Sequence, residues 1–410
     1  MRGQKRKFKQ KNVKPHGGYS TKPRPERALL AGIDIKGEKH SWPLQASLEE
    51  LQRLTGTAGA TVVGTISQHL AKRSPFYVGK GKLEEIKELK YDLDYTVVIF
   101  DDELSPAQQR NLERELSVKI IDRTALILDI FARHAHTKEG RLQVDLAQNQ
   151  YLLPRLAGQW SHLERLGGGI GTRGPGEAQL ETDRRLVRNR IYQLQKEIKS
   201  VQQRRSLYRD NRKRNGVPVI SLVGYTNAGK STLMNALTEA QVTAEDKLFA
   251  TLDPVTRKVR LPGGLDALLT DTVGFIQKLP TGLIAAFKAT LEELQDTDIL
   301  LHVVDISHPN VIEQYDTVEQ VLHELEIEDK PTVIALNKSD LEREANNHID
   351  FGFDPHQIAS DANGDRDNNV IRVSATQGSN LARLKNHLRA KIAQGREEHH
   401  ESNSLEEHLV

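Results

Sequence analysis

VPVISLVGYTNAGKSTLMNAL (217–237) runs from an apolar stretch through a glycine-bearing loop into a helix-forming segment. The loop reads Gly224-Tyr225-Thr226-Asn227-Ala228-Gly229-Lys230-Ser231, followed by Thr232, which is the G-x-x-x-x-G-K-S spacing of a phosphate-wrapping loop. Its glycines let successive N–H groups curl around a β-phosphate at a helix N-terminus. Lys230 is placed to bridge the β- and γ-phosphates, and the Ser231 hydroxyl to bind Mg²⁺.

Two further motifs follow in order. GLDALLTDTVGF (264–275) ends an apolar run in Asp271-Thr272-Val273-Gly274, a D-x-x-G. There Asp271 would hold Mg²⁺ through a water and the Gly274 N–H would meet a γ-phosphate. KPTVIALNKSD (330–340) ends in Asn337-Lys338-Ser339-Asp340, an N-K-x-D. An aspartate accepts hydrogen bonds from guanine N1–H and N2–H₂, donors that adenine lacks, so Asp340 should select GTP over ATP. Ser374-Ala375-Thr376 is placed as the loop behind the base.

Phe249-Ala250-Thr251-Leu252-Asp253 falls where a first switch should sit. Thr251 is the candidate second hydroxyl ligand of Mg²⁺, with Thr256 as its competitor. A second switch would run from Gly274 into a helix after Pro280, both loops being ordered by the γ-phosphate and released on hydrolysis. The set predicts binding of GTP and GDP and hydrolysis of GTP, with Lys230, Thr251, Gly274 and Asn227 carrying the chemistry. Phe275 stands where small signalling GTPases carry a water-orienting Gln. Slow intrinsic turnover is therefore expected, with the polar group supplied from elsewhere. Asn227 is a candidate ligand for an activating K⁺, although Asn also occurs at this position without K⁺ dependence.

Upstream, strand-like runs at 28–35, 60–66, 95–100 and 117–122 alternate with helix-like runs at 47–54, 82–89, 105–116 and after Arg123. The alternation predicts a small parallel α/β domain. Gly79-Lys80-Gly81-Lys82 could touch a phosphate, but two glycines and two lysines read more simply as a βα turn. Next, Leu142, Leu146, Leu153, Leu156, Trp160 and Leu163 form one apolar seam, and Leu180, Val187, Ile191, Leu194, Ile198 and Val201 another. Two helices packed lengthwise are expected, the first kinked at Pro154. Between them LGGGIGTRGPGEAQLE (166–181) is too glycine-rich for a helix. Its glycines Gly167, Gly168, Gly169, Gly171, Gly174 and Gly176, with Arg165 and Arg173, could approach RNA backbone and bases. Arg184, Arg185, Arg188 and Arg190 add charge nearby. QQRRSLYRDNRKRNG (202–216) reads as a basic linker, and the polar segment 348–369 as a solvated loop.

Composition bounds these readings. A chain of 410 residues exceeds the usual single core, and 37% hydrophobic with 28% charged residues is that of a soluble protein. No apolar run would span a bilayer, and the basic N-terminus has no apolar stretch behind it, so it is no secretory signal. The absence of cysteine excludes disulfides and thiolate metal sites, and a reducing cytoplasm fits best. Net charge is +2 but unevenly spread, with Arg2, Lys5, Arg6, Lys7, Lys9, Lys11 and Lys14 before any acid. That arm is either a solvated tail or an arm for polyanions. The organisation expected is a basic arm (1–26), an α/β domain (27–138), a helical hairpin (139–213), a mostly parallel P-loop domain (214–394) and an acidic tail (395–410).

GRLQVDLAQNQYLLPRL (140–156), GGGIGTRGPGE (167–177), LETDRR (180–185), GYTNAGKST (224–232) and FATLDPVTR (249–257) together resemble the HflX family of translation-associated GTPases. The resemblance spans about Arg27 to Thr376. It implies a protein that binds the large ribosomal subunit, sets its glycine-rich tip near the catalytic RNA and splits stalled ribosomes under stress, with ribosome-stimulated GTP hydrolysis; a monomer is expected. By the same resemblance Gly224 to Thr232, Thr251, Asp271 to Gly274, Asn337 to Asp340 and Ser374 to Thr376 match the family's nucleotide contacts. Ala178 departs from the usual hydroxyl residue of the tip. The small C-terminal domain of many relatives is expected to be missing here or reduced to the acidic tail after the Asn380–Ile392 helix. The rival readings are a ribosome-assembly or RNA-modification GTPase, and an RNA-remodelling ATPase with a second nucleotide site near Lys80.

Overall fold

Strand β1 (Arg27–Ile35) is buried from Ala28 to Ile33, as the centre of a sheet covered on both faces must be. In this computed structural model, which describes residues 25–37, 42–72, 74–156, 175–214, 216–238, 248–279, 292–344 and 369–407, it pairs in parallel with β2 (Thr61–Leu70) and β3 (Val97–Phe100). With β4 (Lys119–Asp122) beyond β3, the order is β2-β1-β3-β4, all parallel. The crossovers are helices α1 (Leu44–Thr57), α2 (Lys80–Leu93) and α3 (Pro106–Leu116), with α4 (Arg123–His134) following β4. Local chemistry sets these boundaries. Ser105 and Gln108 close a capping box on α3 with Pro106 in its first turn, and Asp122 caps α4 through the Ala125 N–H.

Side chains of β1 alternate between two cores. Leu29, Ala31, Ile33 and Ile35 pack with Leu83, Ile86 and Leu112 of α2 and α3. Ala28 and Leu30 face the other way, into a cluster with Leu51, Leu54, Ile127 and Phe131 of α1 and α4. That second cluster is shared with the downstream domain, whose Tyr225, Phe249, Leu252, Phe275 and Ile276 belong to it. A common core of this kind ties the two domains together.

Helix α5 (Lys138–Leu152) and the long α6 (Pro175–Arg214) form the hairpin arms. Leu142 and Leu146 bury against Leu194 and Ile198, with Ile191 alongside. Each such side chain contributes about 1.5–3 kcal/mol when fully removed from water. Pro154 does not kink α5, which ends at Leu152: Leu153 keeps helical φ/ψ (−50°, −49°) and donates to the Asn149 carbonyl, and proline, with no N–H, cannot carry that pattern further. Trp160, Leu163, and the glycines and arginines from Arg165 to Gly174 lie outside the described residues. The segment read as a linker after Gln202 is instead helical to Arg214, since nothing in it breaks a helix before Gly216 and Pro218.

The downstream sheet has the order β10-β9-β8-β5-β7-β6. Its strands are β5 (Val219–Val223), β6 (Val255–Leu261), β7 (Leu265–Asp271), β8 (Ile299–Asp305), β9 (Thr332–Asn337) and β10 (Val370–Arg372). Only β6 runs antiparallel. The helices are α7 (Lys230–Thr238), α8 (Val311–Glu324), α9 (Ser339–Glu344) and α10 (Leu381–Glu407). β8 is buried along its whole length. Because β7 and β8 lie on opposite sides of β5, the loop after β5 opens at a point where the winding reverses, the place where α/β sheets bind ligands. Helix α10 continues to Glu407, through the segment read as an acidic tail.

Candidate functional site

The loop between β5 and α7 owes its course to two glycines. Gly224 has φ 149° and a Cβ there would lie 2.3 Å from the Val303 carbonyl oxygen of the neighbouring strand. Gly229 has φ 92°, and its Cβ would lie 2.4 Å from Asn337 Nδ2. Asn227 also takes a positive φ of 63°, a conformation its short amide side chain tolerates. Lys230 is buried in the first turn of α7 and donates to the Gly224 and Tyr225 carbonyls at 3.0 and 2.8 Å. Burial lowers its pKa to about 8, against the pull of Asp271. Thr226, Asn227, Gly229, Lys230, Ser231, Thr232, Phe249, Ala250, Thr251, Thr272 and Gly274 line one cavity.

At the cavity floor Ser231 Oγ lies 2.9 Å from Thr251 Oγ1 and donates to Asp271 Oδ2 at 2.6 Å. Thr251 Oγ1 reaches the same carboxylate oxygen at 3.2 Å. Asp271 Oδ1 is buried with no hydrogen-bond partner, and burial raises the acid's pKa against the opposing Lys230. Two hydroxyls converging on one under-satisfied carboxylate form an all-oxygen set that suits Mg²⁺. Thr256, the competitor, faces outward on β6 and pairs with Thr270 at 3.0 Å, so Thr251 is the hydroxyl brought to the site.

The base-side residues also converge. Asn337 donates to the Ala228 carbonyl at 2.9 Å and accepts from the Ala375 N–H at 3.1 Å, stitching the phosphate loop to the Ser374–Thr376 loop. Asp340 Oδ2 lies 3.4 Å from Thr376 Oγ1 while its Oδ1 is buried and unpartnered, a free acceptor for a guanine edge. Lys338 holds Asp305 at 2.7 Å beneath them. Thr272 is turned inward to the Leu222 carbonyl at 2.6 Å, and a Cβ on Gly274 would lie 2.7 Å from Thr226 Cα, so the D-x-x-G loop and the phosphate loop are in contact. Val273 is buried. Phe275 is buried too, its backbone bridged to Gly224 and Thr226 at 3.1 and 2.7 Å, so its ring belongs to the core. The helix expected after Pro280 lies outside the described residues.

Three residues read as nucleotide contacts go elsewhere. Tyr225 points into the N-terminal domain, stacking on Trp42 at 5.7 Å and donating to Glu50 at 2.5 Å. Leu252 enters the shared core. Asp253 turns away to the start of α5, where it accepts from the His136 and Thr137 N–H groups at 2.8 Å each. Phe249 borders the cavity, and its ring packs edge-on against Phe131 at 4.7 Å. Sequence spacing places a residue in a loop but not on a face of it. The interdomain polar cluster had no motif to announce it: Arg123 pairs with Glu50 and Asp101 at 2.7 Å each, and Lys278 reaches Asp101 at 2.5 Å.

A phosphate loop at the reversal point of a mostly parallel sheet, two contacting switch segments and a carboxylate with a buried, unpartnered oxygen beside them define the class: this is a P-loop GTPase. Three family profiles cover it in succession: "GTP-binding GTPase N-terminal" over 45–132, "GTP-binding GTPase Middle Region" over 134–212, and "50S ribosome-binding GTPase" over 219–338. The GTPase HflX of Lacrimispora saccharolytica is 50% identical over 364 residues, covering 88% of this chain and 82% of its own length. That of Caldanaerobacter subterraneus subsp. tengcongensis is 52% identical across 77% of this chain and 73% of its own. That of Escherichia coli K12 is 48% identical across 79% and 76%. The chain belongs to the HflX family of GTPases. A solved structure of SsGBP with GDP covers 90% of this chain and 99% of its own at 26% identity, with a TM-score of 0.47. The fold assignment rests instead on the strand order above.

Proposed function

We propose that this chain is a GTP-driven factor that binds the large ribosomal subunit and separates the subunits of stalled ribosomes. The observation that carries the reading is the convergence of Ser231, Thr251 and Asp271 beneath a phosphate loop whose base side ends in the free Asp340 oxygen. Support for the partner comes from the profile described as a 50S ribosome-binding GTPase and from the family's hairpin, whose α6 exposes Arg185, Arg188 and Tyr192. These offer cations and an aromatic face to RNA. Among the described residues no helix is long and apolar enough to cross a membrane, and the factor is read as a cytoplasmic monomer.

In this reading Lys230 pairs with the β- and γ-phosphates from its buried position, and Gly274 offers its N–H to the γ-phosphate. Ser231 and Thr251 would hold Mg²⁺ directly and Asp271 through a water. The ion would spread the charge that develops on the phosphates. The core position of Phe275 leaves no side chain at that point to orient the attacking water. Intrinsic turnover is therefore slow, and a ribosomal group or a K⁺ held by Asn227 completes the site.

The test measures GTP hydrolysis with and without large subunits, and dissociation of intact ribosomes in sucrose gradients. Stimulation together with GTP-dependent dissociation, both lost on deleting Gly167–Gly176, supports the reading. Binding only to immature particles would point to an assembly factor. Equal turnover in KCl and NaCl at matched ionic strength would remove K⁺ from the scheme.

A further inference from the structure

The first switch has two faces. Thr251 points to Ser231 and Asp271, while its neighbours Phe249, Leu252 and Asp253 are docked on the N-terminal domain and the hairpin. Asp253 makes the most specific of these contacts. Its Oδ2 accepts from the N–H groups of His136 and Thr137 at 2.8 Å, and its Oδ1 accepts from the Thr137 hydroxyl. Thr137 is the N-cap of α5, and its Oγ1 accepts the Gly140 N–H at 3.0 Å. The carboxylate therefore sits against the N-terminal turn of the hairpin's first helix, where the helix dipole favours an anion.

Gly140 makes this approach possible. A Cβ at that position would lie 2.3 Å from Asp253 Oδ1. Glycine inside a helix normally weakens it, so its presence in the first turn of α5 fits the close approach of the carboxylate. The Phe249 ring, edge-on to Phe131 of α4, and the Phe249 N–H, donating to Thr226 Oγ1 at 2.9 Å, fix the other end of the same segment. Thr251 is thus suspended between two anchors, Phe249 on one side and Asp253 on the other.

We infer that Asp253 is a positioning residue that holds the first switch in the conformation presenting Thr251 to Mg²⁺ and, through the start of α5, couples the γ-phosphate site to the hairpin. This rests on the GTP·Mg²⁺ reading of the site. Coupling of this kind is reciprocal: a γ-phosphate that fixes Thr251 strengthens the Asp253–α5 contact, and a partner that moves α5 weakens γ-phosphate binding by the same factor. GDP, which makes no demand on Thr251, is indifferent to the contact.

The experiment uses the full chain with Asp253→Asn, which loses the charge and one acceptor, and with Gly140→Ala, which displaces the carboxylate from the hairpin side. Affinities for GDP and for a non-hydrolysable GTP analogue with Mg²⁺ are measured together with amide exchange of a peptide spanning 134–141. In both variants analogue affinity is expected to fall about fivefold or more while GDP affinity stays within about twofold. In the unmodified chain the analogue should protect the 134–141 amides more than GDP does, and Asp253→Asn should erase that difference. Gly140→Ala is the sharper case, because helix propensity alone would make it harmless or stabilising. An unchanged analogue-to-GDP ratio, or an equal loss for both nucleotides, overturns the coupling. Failure of the unmodified chain to bind either nucleotide would instead overturn the site beneath it.

Discussion

Both sheets end in carboxylates at the carboxyl edges of their strands, yet the two edges have opposite characters. In the N-terminal sheet, Asp101 follows β3 and is tied to Arg123 and Lys278, while Asp122 at the end of β4 accepts the Leu104 and Ala125 N–H groups at 3.0 and 2.8 Å. Burial would raise the Asp101 pKa, but Arg123 and Lys278 outweigh it and hold the carboxyl well below the usual range. In the downstream sheet, Asp271 and Asp340 each keep a buried oxygen without a partner. Similar topology thus yields a closed edge used for attachment and an open edge used for binding. The difference lies in which cations the tertiary structure delivers: Arg123 and Lys278 saturate one edge, while the cation that Asp271 faces among the described residues is Lys230, itself hydrogen-bonded to loop carbonyls.

Breaking the closed edge should have the largest effect. Arg123→Met leaves Glu50 buried without its cation and Asp101 with Lys278 alone, and is expected to cost about 3–5 kcal/mol. Thermal unfolding of the apoprotein should show it as a clear fall in midpoint. An unchanged midpoint would mean that this edge is not the structural fastening described. At the open edge, Asp340→Asn replaces an acceptor with an amide that can turn a donor toward guanine, and GDP affinity should fall about a hundredfold. Xanthosine diphosphate binds the variant in compensation; unaltered GDP affinity would remove Asp340 from the base site.

Tyr225 joins the two edges, donating to Glu50 at 2.5 Å and accepting the Gln277 N–H at 2.9 Å. Tyr225→Phe keeps the stack on Trp42 but leaves both groups short of a partner, costing about 1–2 kcal/mol of stability. Equal denaturation curves for variant and parent would show that solvent replaces the hydroxyl. Lys278→Ala should be the mildest, below about 1 kcal/mol, because the ammonium is partly solvated and Arg123 still satisfies Asp101. A loss as large as that of Arg123→Met would make Lys278 a principal rather than a secondary partner.

Much of the open edge was legible in the sequence, because a phosphate loop needs glycines, a lysine and a hydroxyl at fixed spacing along one turn. The strands and helices of the N-terminal domain were legible for a similar reason, as their apolar alternation survives in short windows. Pro154 was read as a kink and proved to lie beyond the helix end, and the linker after Gln202 proved helical, since polar composition by itself does not break a helix. Tyr225, Leu252 and Asp253 were assigned to nucleotide because they share a loop with residues that face it.

The sequence by itself determined the order of the nucleotide motifs and the alternation of strands and helices in the N-terminal sheet, both set by patterns close along the chain. Only the tertiary structure decided that Asp253 docks on the turn before the helix starting at Lys138, that Tyr225 docks on Glu50, and that Arg123 and Lys278 close the N-terminal edge. Those pairs are separated by more than a hundred residues in all cases but Arg123 with Asp101. Their hydrogen bonds are specified by where buried surfaces meet, which no local pattern encodes.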